Sequence, residues 1–161
     1  MSTNEDLEII AEQEKLLRFA AFNTDTAWQL GNLLRSMLLE RKVGGTVEIE
    51  LAGQILFACT TPGASLGQAN WVRRKRNTVR TFAKSSYAVG LTLERDGDTL
   101  PVRQGLELKD YAIHGGGFPL HVEGMGVIGS IVVSGLPQRD DHELAVTAVA
   151  QVLGVKPPRL S

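Results

Sequence analysis

Apolar and polar positions alternate along this chain with two different periods, and the changes of period divide it into elements. Ser2 and Glu5 have capping-box spacing, in which each side chain satisfies the other's free backbone donor. Behind them Leu7, Ile10, Leu17 and Ala21 recur at helical spacing, with Ile9, Leu16 and Ala20 widening the stripe. Asn23, Thr24 and Asp25 interrupt the pattern and offer a second N-cap. Ala27, Leu30, Leu34, Met37 and Leu38 then carry the helical period to Arg41, with Gly44-Gly45 as the expected stop. Residues 46–51 switch to period two: Val47, Ile49 and Leu51 are expected to face a core, and Glu48 and Glu50 to face water. After an Ala52-Gly53 turn, residues 54–60 are more uniformly apolar, which predicts a central strand.

A basic helix is predicted over residues 66–86. Trp71, Val72, Val79, Phe82 and Ala83 share its apolar side, and Arg73, Arg74, Arg80 and Lys84 lie largely elsewhere. Residues 87–95 fit strand or helix equally by pattern. Gly124 turns one apolar run, Phe118 to Glu123, into a second, Val127 to Ser134, which predicts another hairpin. Asp140-Asp141 open a last helix that Gly154 ends. Strands in antiparallel hairpins with helices before, between and after them indicate an α+β fold.

Composition narrows the picture. The 161 residues suit one domain, with a core over about residues 7–153. Hydrophobic residues at 43% separate the chain from disordered sequences, and 17 basic against 18 acidic residues give no bias toward nucleic acid. No apolar run approaches the roughly 20 residues of a membrane span. The acidic N-terminal stretch is unlike an export signal, so a cytoplasmic location is expected. The lone Cys59 lies in an apolar strand and reads as a small buried hydrophobe. No P-loop, dinucleotide-binding fingerprint or zinc motif is present, and the residues themselves reach no enzyme class.

Three places could carry chemistry. In His114-Gly115-Gly116-Gly117-Phe118-Pro119 the glycines let the backbone approach a ligand, and His114 could contact a metal, a haem iron or a carboxylate. The plainer alternative is a sharp loop entering a strand. At the start of the last helix His142 sits where anions are attracted, unless Asp140 or Asp141 simply caps the helix. The basic run, Arg76 and Arg80 included, could grip phosphates or propionates, or could pair with Glu48 and Glu50. His121 falls on the strand face opposite Leu120 and Val122 and is expected at the surface.

Residues 110–120, running from Asp110-Tyr111 through His114-Gly115-Gly116-Gly117 to Leu120, are followed by Ile128-Gly129-Ser130, Ser134-Gly135-Leu136-Pro137 and Asp141-His142. This set resembles the haem-degrading domain family, and with Arg74 to Val79, Phe82 and Ser85-Ser86-Tyr87 it is similar to that family's UPF0303 branch. The resemblance implies an antiparallel five-stranded sheet flanked by helices, profilin-like or PAS/GAF-like, and homo-oligomeric assembly. It turns residues 87–95 toward helix and puts the fifth strand within residues 100–113. It also implies haem or another tetrapyrrole as ligand. The resemblance carries over no site residues; the chemistry of the residues themselves then puts His114 (the metal contact) or His142 near iron, Gly115, Gly116, Gly117 and Phe118 along the loop, and Arg76 and Arg80 on the propionates. The other reading is a non-catalytic oligomeric domain that binds a different small anionic ligand or a protein.

Overall fold

The computed structural model describes residues 2–161. Its elements run α1 (Thr3–Leu16), α2 (Thr24–Glu40), β1 (Thr46–Leu51), β2 (Gln54–Thr60), α3 (Gln68–Phe82), α4 (Ser86–Asp96), α5 (Leu100–Gln104), β3 (Gly117–Val122), β4 (Gly126–Ser134) and α6 (Gln138–Leu153). The N-terminal signals act as their chemistry requires. Glu5 N–H donates to Ser2 Oγ at 3.2 Å while Ser2 N–H donates to Glu5 Oε2, and Thr26 N–H donates to Asn23 Oδ1 at 2.9 Å. α2 stops at Glu40, before the glycine pair, because the chain turns at Lys42 with φ of 56°. The basic helix also ends early, at Phe82, where Ala83 is left-handed and Ser85 caps a separate α4. That α4 settles residues 87–95 as helix.

The sheet is antiparallel, with strand order β2-β1-β4-β3. α2 and α6 cover one face, where Leu30, Leu34, Val47, Ile49, Ile131 and Leu144 form the main core. α3 crosses the other face over β4, β3 and β1, and α1 packs on α4 at that side. Among the described residues no helix is long and apolar enough to cross a membrane.

Four expectations need correction. The sheet has four strands, and residues 100–113 supply none. They form α5 and then a segment whose backbone is satisfied by α3: Arg74 Nε donates to Leu108 O, Asn77 Nδ2 to Asp110 O, and Thr78 Oγ1 to Ala112 O. The only trace of a fifth strand among the described residues is a single parallel bridge, Phe19 beside β3, with Phe19 N–H donating to His121 O at 2.9 Å. β2 is an edge strand, not a central one, and its Ile55 is 56% exposed. Glu48 and Glu50 do not face water. They are buried beneath α3, with Glu48 held at both oxygens by Arg76 Nη1 (2.7 and 2.8 Å) and Glu50 bound by Arg80 Nη2 at 2.6 Å. Two residues of strand and four of helix both advance by roughly 6 Å, so the two acids and the two arginines fall into register. Finally, α6 begins at Gln138 behind Pro137, and neither aspartate caps it.

Candidate ligand-binding site

The glycine loop ties α3, α4 and α6 together. Ser86 Oγ donates to His114 O at 2.6 Å and accepts from Gly117 N–H at 2.9 Å, so one hydroxyl from the first turn of α4 clamps the loop at both ends. Gly115 N–H donates to Gln138 Oε1 at 3.2 Å. Gly116 has φ of 129°, and a Cβ there would lie 2.2 Å from Val133 O and 2.6 Å from Lys75 Nζ. Both backbone conformation and space therefore demand glycine at this position.

The loop closes one wall of a cleft of about 310 Å³, whose lining includes Trp71, Lys75, His114, Gly115, Gln138 and Asp141. At its base Lys75 and Asp141 form an ion pair at 3.0 Å, each side chain 3% exposed. Lys75 Nζ also donates to Val133 O at 2.9 Å, and Asp141 Oδ1 accepts from Leu136 N–H at 2.9 Å. Burial pulls the Lys75 ammonium below its ordinary range and pushes the Asp141 carboxyl above its own, each opposed by attraction to the other. At the mouth, the His114 ring meets the Trp71 indole edge-on, with centroids 5.1 Å apart, and the Arg74 guanidinium lies 4.5 Å from the indole centroid on its face. Partial burial, then the charges of Lys75 and Arg74, lower the pKa of His114, so its imidazole is neutral at pH 7.

Of the residues singled out in the sequence, His114 and Gly115 line this cleft, and Gly116 packs against its floor. Gly117 starts β3, and Phe118 lies in the core at 1% exposure. Arg76 and Arg80 sit over β1, committed to Glu48 and Glu50, so the structure does not bring them to the loop. His142 is not at a ligand-facing helix start. It is fully buried between Tyr87 and Phe118 with Nε2 2.8 Å from Gln13 Oε1, and burial brings its pKa down to about 4. His121 is on the expected strand face but is half-buried, in the wall of a separate cavity. Among the described residues no three His, Cys, Asp or Glu side chains converge to hold a bare metal ion.

Trp71, Lys75, Ser86, Gln138 and Asp141 were missed as site residues. For Lys75 the sequence held a signal: it shares one helical stripe with Val72 and Val79, so a basic residue occupies an apolar position.

A family model described as haem degrading protein HbpS-like matches residues 22–150, most of the chain. The chain belongs to this HbpS-like family. Its HbpS-like sequence is 51% identical over 153 residues to a UPF0303 protein of Rhizobium johnstonii, covering 95% of this chain and 94% of the relative. It is 46% identical over 158 residues to a UPF0303 protein of Serratia proteamaculans, covering 98% of each. The crystal structure of the Ybr137w protein matches this HbpS-like fold with a TM-score of 0.85 at 27% identity, over 92% of this chain and 87% of that one. A PduOC–haem complex matches with a TM-score of 0.70 at 23% identity, over 86% of this chain and 99% of that one, and shows a shared fold.

Proposed function

We propose that this HbpS-like protein is a homo-oligomeric binder of haem or another tetrapyrrole, held at the cleft between His114 and Trp71. The observation that carries the reading is the state of His114. Its imidazole is neutral and exposed at the mouth of a ligand-sized cleft, beside a flat indole and a guanidinium. Neutral imidazole is a common axial donor to haem iron. Arg74 makes its one side-chain hydrogen bond to a carbonyl, Leu108 O, which leaves guanidinium donors for a carboxylate of the ligand. In this it replaces Arg76 and Arg80, which lie over β1 paired with Glu48 and Glu50, away from the cleft. The residues present fit the group at one edge. A volume of 310 Å³ is at the lower end for ligand pockets, roughly 300–1,000 Å³, so the rest of a macrocycle lies outside the cleft, where a second copy can cover it. Bound haem would supply the redox and oxygen chemistry that the family's description implies. The chain's own part is to position the ring edge, donate to a propionate and keep His114 unprotonated.

Hemin titration tests this reading. Saturation near one hemin per chain is expected, and His114→Ala should move the ferric Soret band. That variant should also weaken binding by at least the roughly tenfold that a lost outer-shell partner costs at a metal. His121→Ala should leave the titration unchanged. Identical spectra and affinities for wild type and His114→Ala would remove histidine ligation. Saturation only at large hemin excess would remove haem and leave the reading of an oligomeric domain for another small anion.

A further inference from the structure

A second cavity, of about 450 Å³, opens away from the glycine loop, between α1, α4 and the β3–β4 hairpin. Four cations border it: Lys15 near the end of α1 and Arg18 just after it, Lys84 in the α3–α4 link, and Arg95 near the end of α4. Lys15, Arg18 and Lys84 are exposed and none makes a hydrogen bond or salt bridge among the described residues, whereas Arg95 is paired with Asp96. The acid in this wall, Glu14, is turned inward. Its oxygens accept from Ser85 N–H and Ser85 Oγ, both at 3.2 Å. Burial pushes Glu14 up to about 7, against the pull of those bonds and of Lys84, so it offers the cations only a partial charge at neutral pH. Below the cations the wall is apolar, with Leu7, Ala88, Pro119 and Val127. His121 completes it. Its Nδ1 is buried without a partner, which leaves Nε2 as the ring nitrogen able to serve a ligand.

We propose that this cavity is a binding site for a phosphate monoester with an apolar body, the phosphate held by Lys15, Arg18 and Lys84 and the body lying against Pro119, Ala88 and Val127. The argument rests on charge and shape together. Like charges that line one cavity with only the partly ionised Glu14 against them repel one another, and a dianion relieves that repulsion where a monoanion relieves less of it. An apolar floor below a cationic rim selects a ligand with one end of each kind, as small-molecule sites commonly do. The site is independent of the tetrapyrrole reading, since it shares no lining residue with the His114 cleft.

Phenyl phosphate is the probe, titrated into the full chain and followed by amide and side-chain NMR shifts. Perturbations are expected at Lys15, Arg18, Lys84 and His121 and not at His114. Phenyl phosphate should bind more tightly than phenyl sulfate, and more tightly than either phenol or inorganic phosphate. Arg18→Gln and Lys84→Gln change exposed, unpaired residues, so both variants should fold. Each is expected to weaken binding by roughly threefold, and the pair by about tenfold, as for partly exposed charge contacts. His114→Ala should bind phenyl phosphate unchanged, and hemin should not displace it. Shifts that map elsewhere, wild-type affinity in both glutamine variants, no preference over inorganic phosphate, or displacement by hemin would each overturn the proposal.

Discussion

Lys75 occupies a helix position that its neighbours Val72 and Val79 mark as apolar, and what allows it there is Asp141, reached across 66 residues of sequence. Two charges this deep lose their hydration, and attraction within the pair restores only part of it. Removing one partner therefore costs far more than removing both. Lys75→Met and Asp141→Leu should each destabilise by about 3–5 kcal/mol, and the double variant should recover most of that loss. Urea denaturation of the four proteins measures the cycle, and strictly additive losses would show that the two side chains do not act as a unit. A consequence reaches the cleft. Lys75 is one of the charges that lower the pKa of His114, so in the double variant the His114 titration, followed by NMR, should move upward.

At the scale of elements, pattern predicted the helices and strands other than α4, which only the family resemblance turned to helix, and α5, because caps, period and turn residues act locally. Ser2 with Glu5, Asn23 with Thr26, and the two hairpins are cases where the signal and the structure coincide. The errors in the sheet and at the site share one origin: what covers a surface is a long-range fact. Alternation in β1 was read as core against water, whereas α3 supplies arginines for the polar side. Residues 100–113 looked like room for a strand, but their backbone groups are satisfied by α3 side chains. The site was legible to the same extent. His114 and the glycines stand out as a run, while Lys75, Gln138 and Asp141 come from distant segments and meet only on folding. β2 shows how an edge escapes notice. Gln54–Thr60 holds no charge and no proline, the usual guards of an edge strand. Ile55 on it is 56% exposed, and Trp28, packed against Phe57 of the same strand, is 66% exposed. Homo-oligomer formation through this edge predicts that light scattering of wild type gives a mass above 17.5 kDa at micromolar concentration. Ile55→Lys should reduce it to the monomer without unfolding it. A wild-type mass of 17.5 kDa would end the oligomer reading.

For the molecule as a whole, two buried groups with large shifts bear on stability against pH and pull in opposite directions. His142 has its pKa brought from 6.5 to about 4, mainly by burial, so between those values the unfolded chain holds a proton that the folded one does not. Its contribution is full above pH 6.5 and is lost as pH falls through 4. Glu14 has its pKa raised from 4.5 to about 7, again mainly by burial, so between those values the folded chain holds the extra proton. Its contribution is full below pH 4.5 and is lost as pH rises through 7. Each spans about 3 kcal/mol, and over pH 4.5–6.5 the two slopes cancel. Removing one should expose the other. Glutamine keeps an acceptor for Ser85 but cannot ionise, so Glu14→Gln is expected to be near neutral at pH 4.5 and stabilising at pH 8. The stability difference between Glu14→Gln and wild type should therefore grow with pH across 4.5–7 and stay level above it. Chemical denaturation at half-unit steps of pH measures that difference directly. A difference independent of pH would show that Glu14 is already ionised in the folded protein at pH 5, and that the carboxyl at the α4 cap is better solvated than its burial implies.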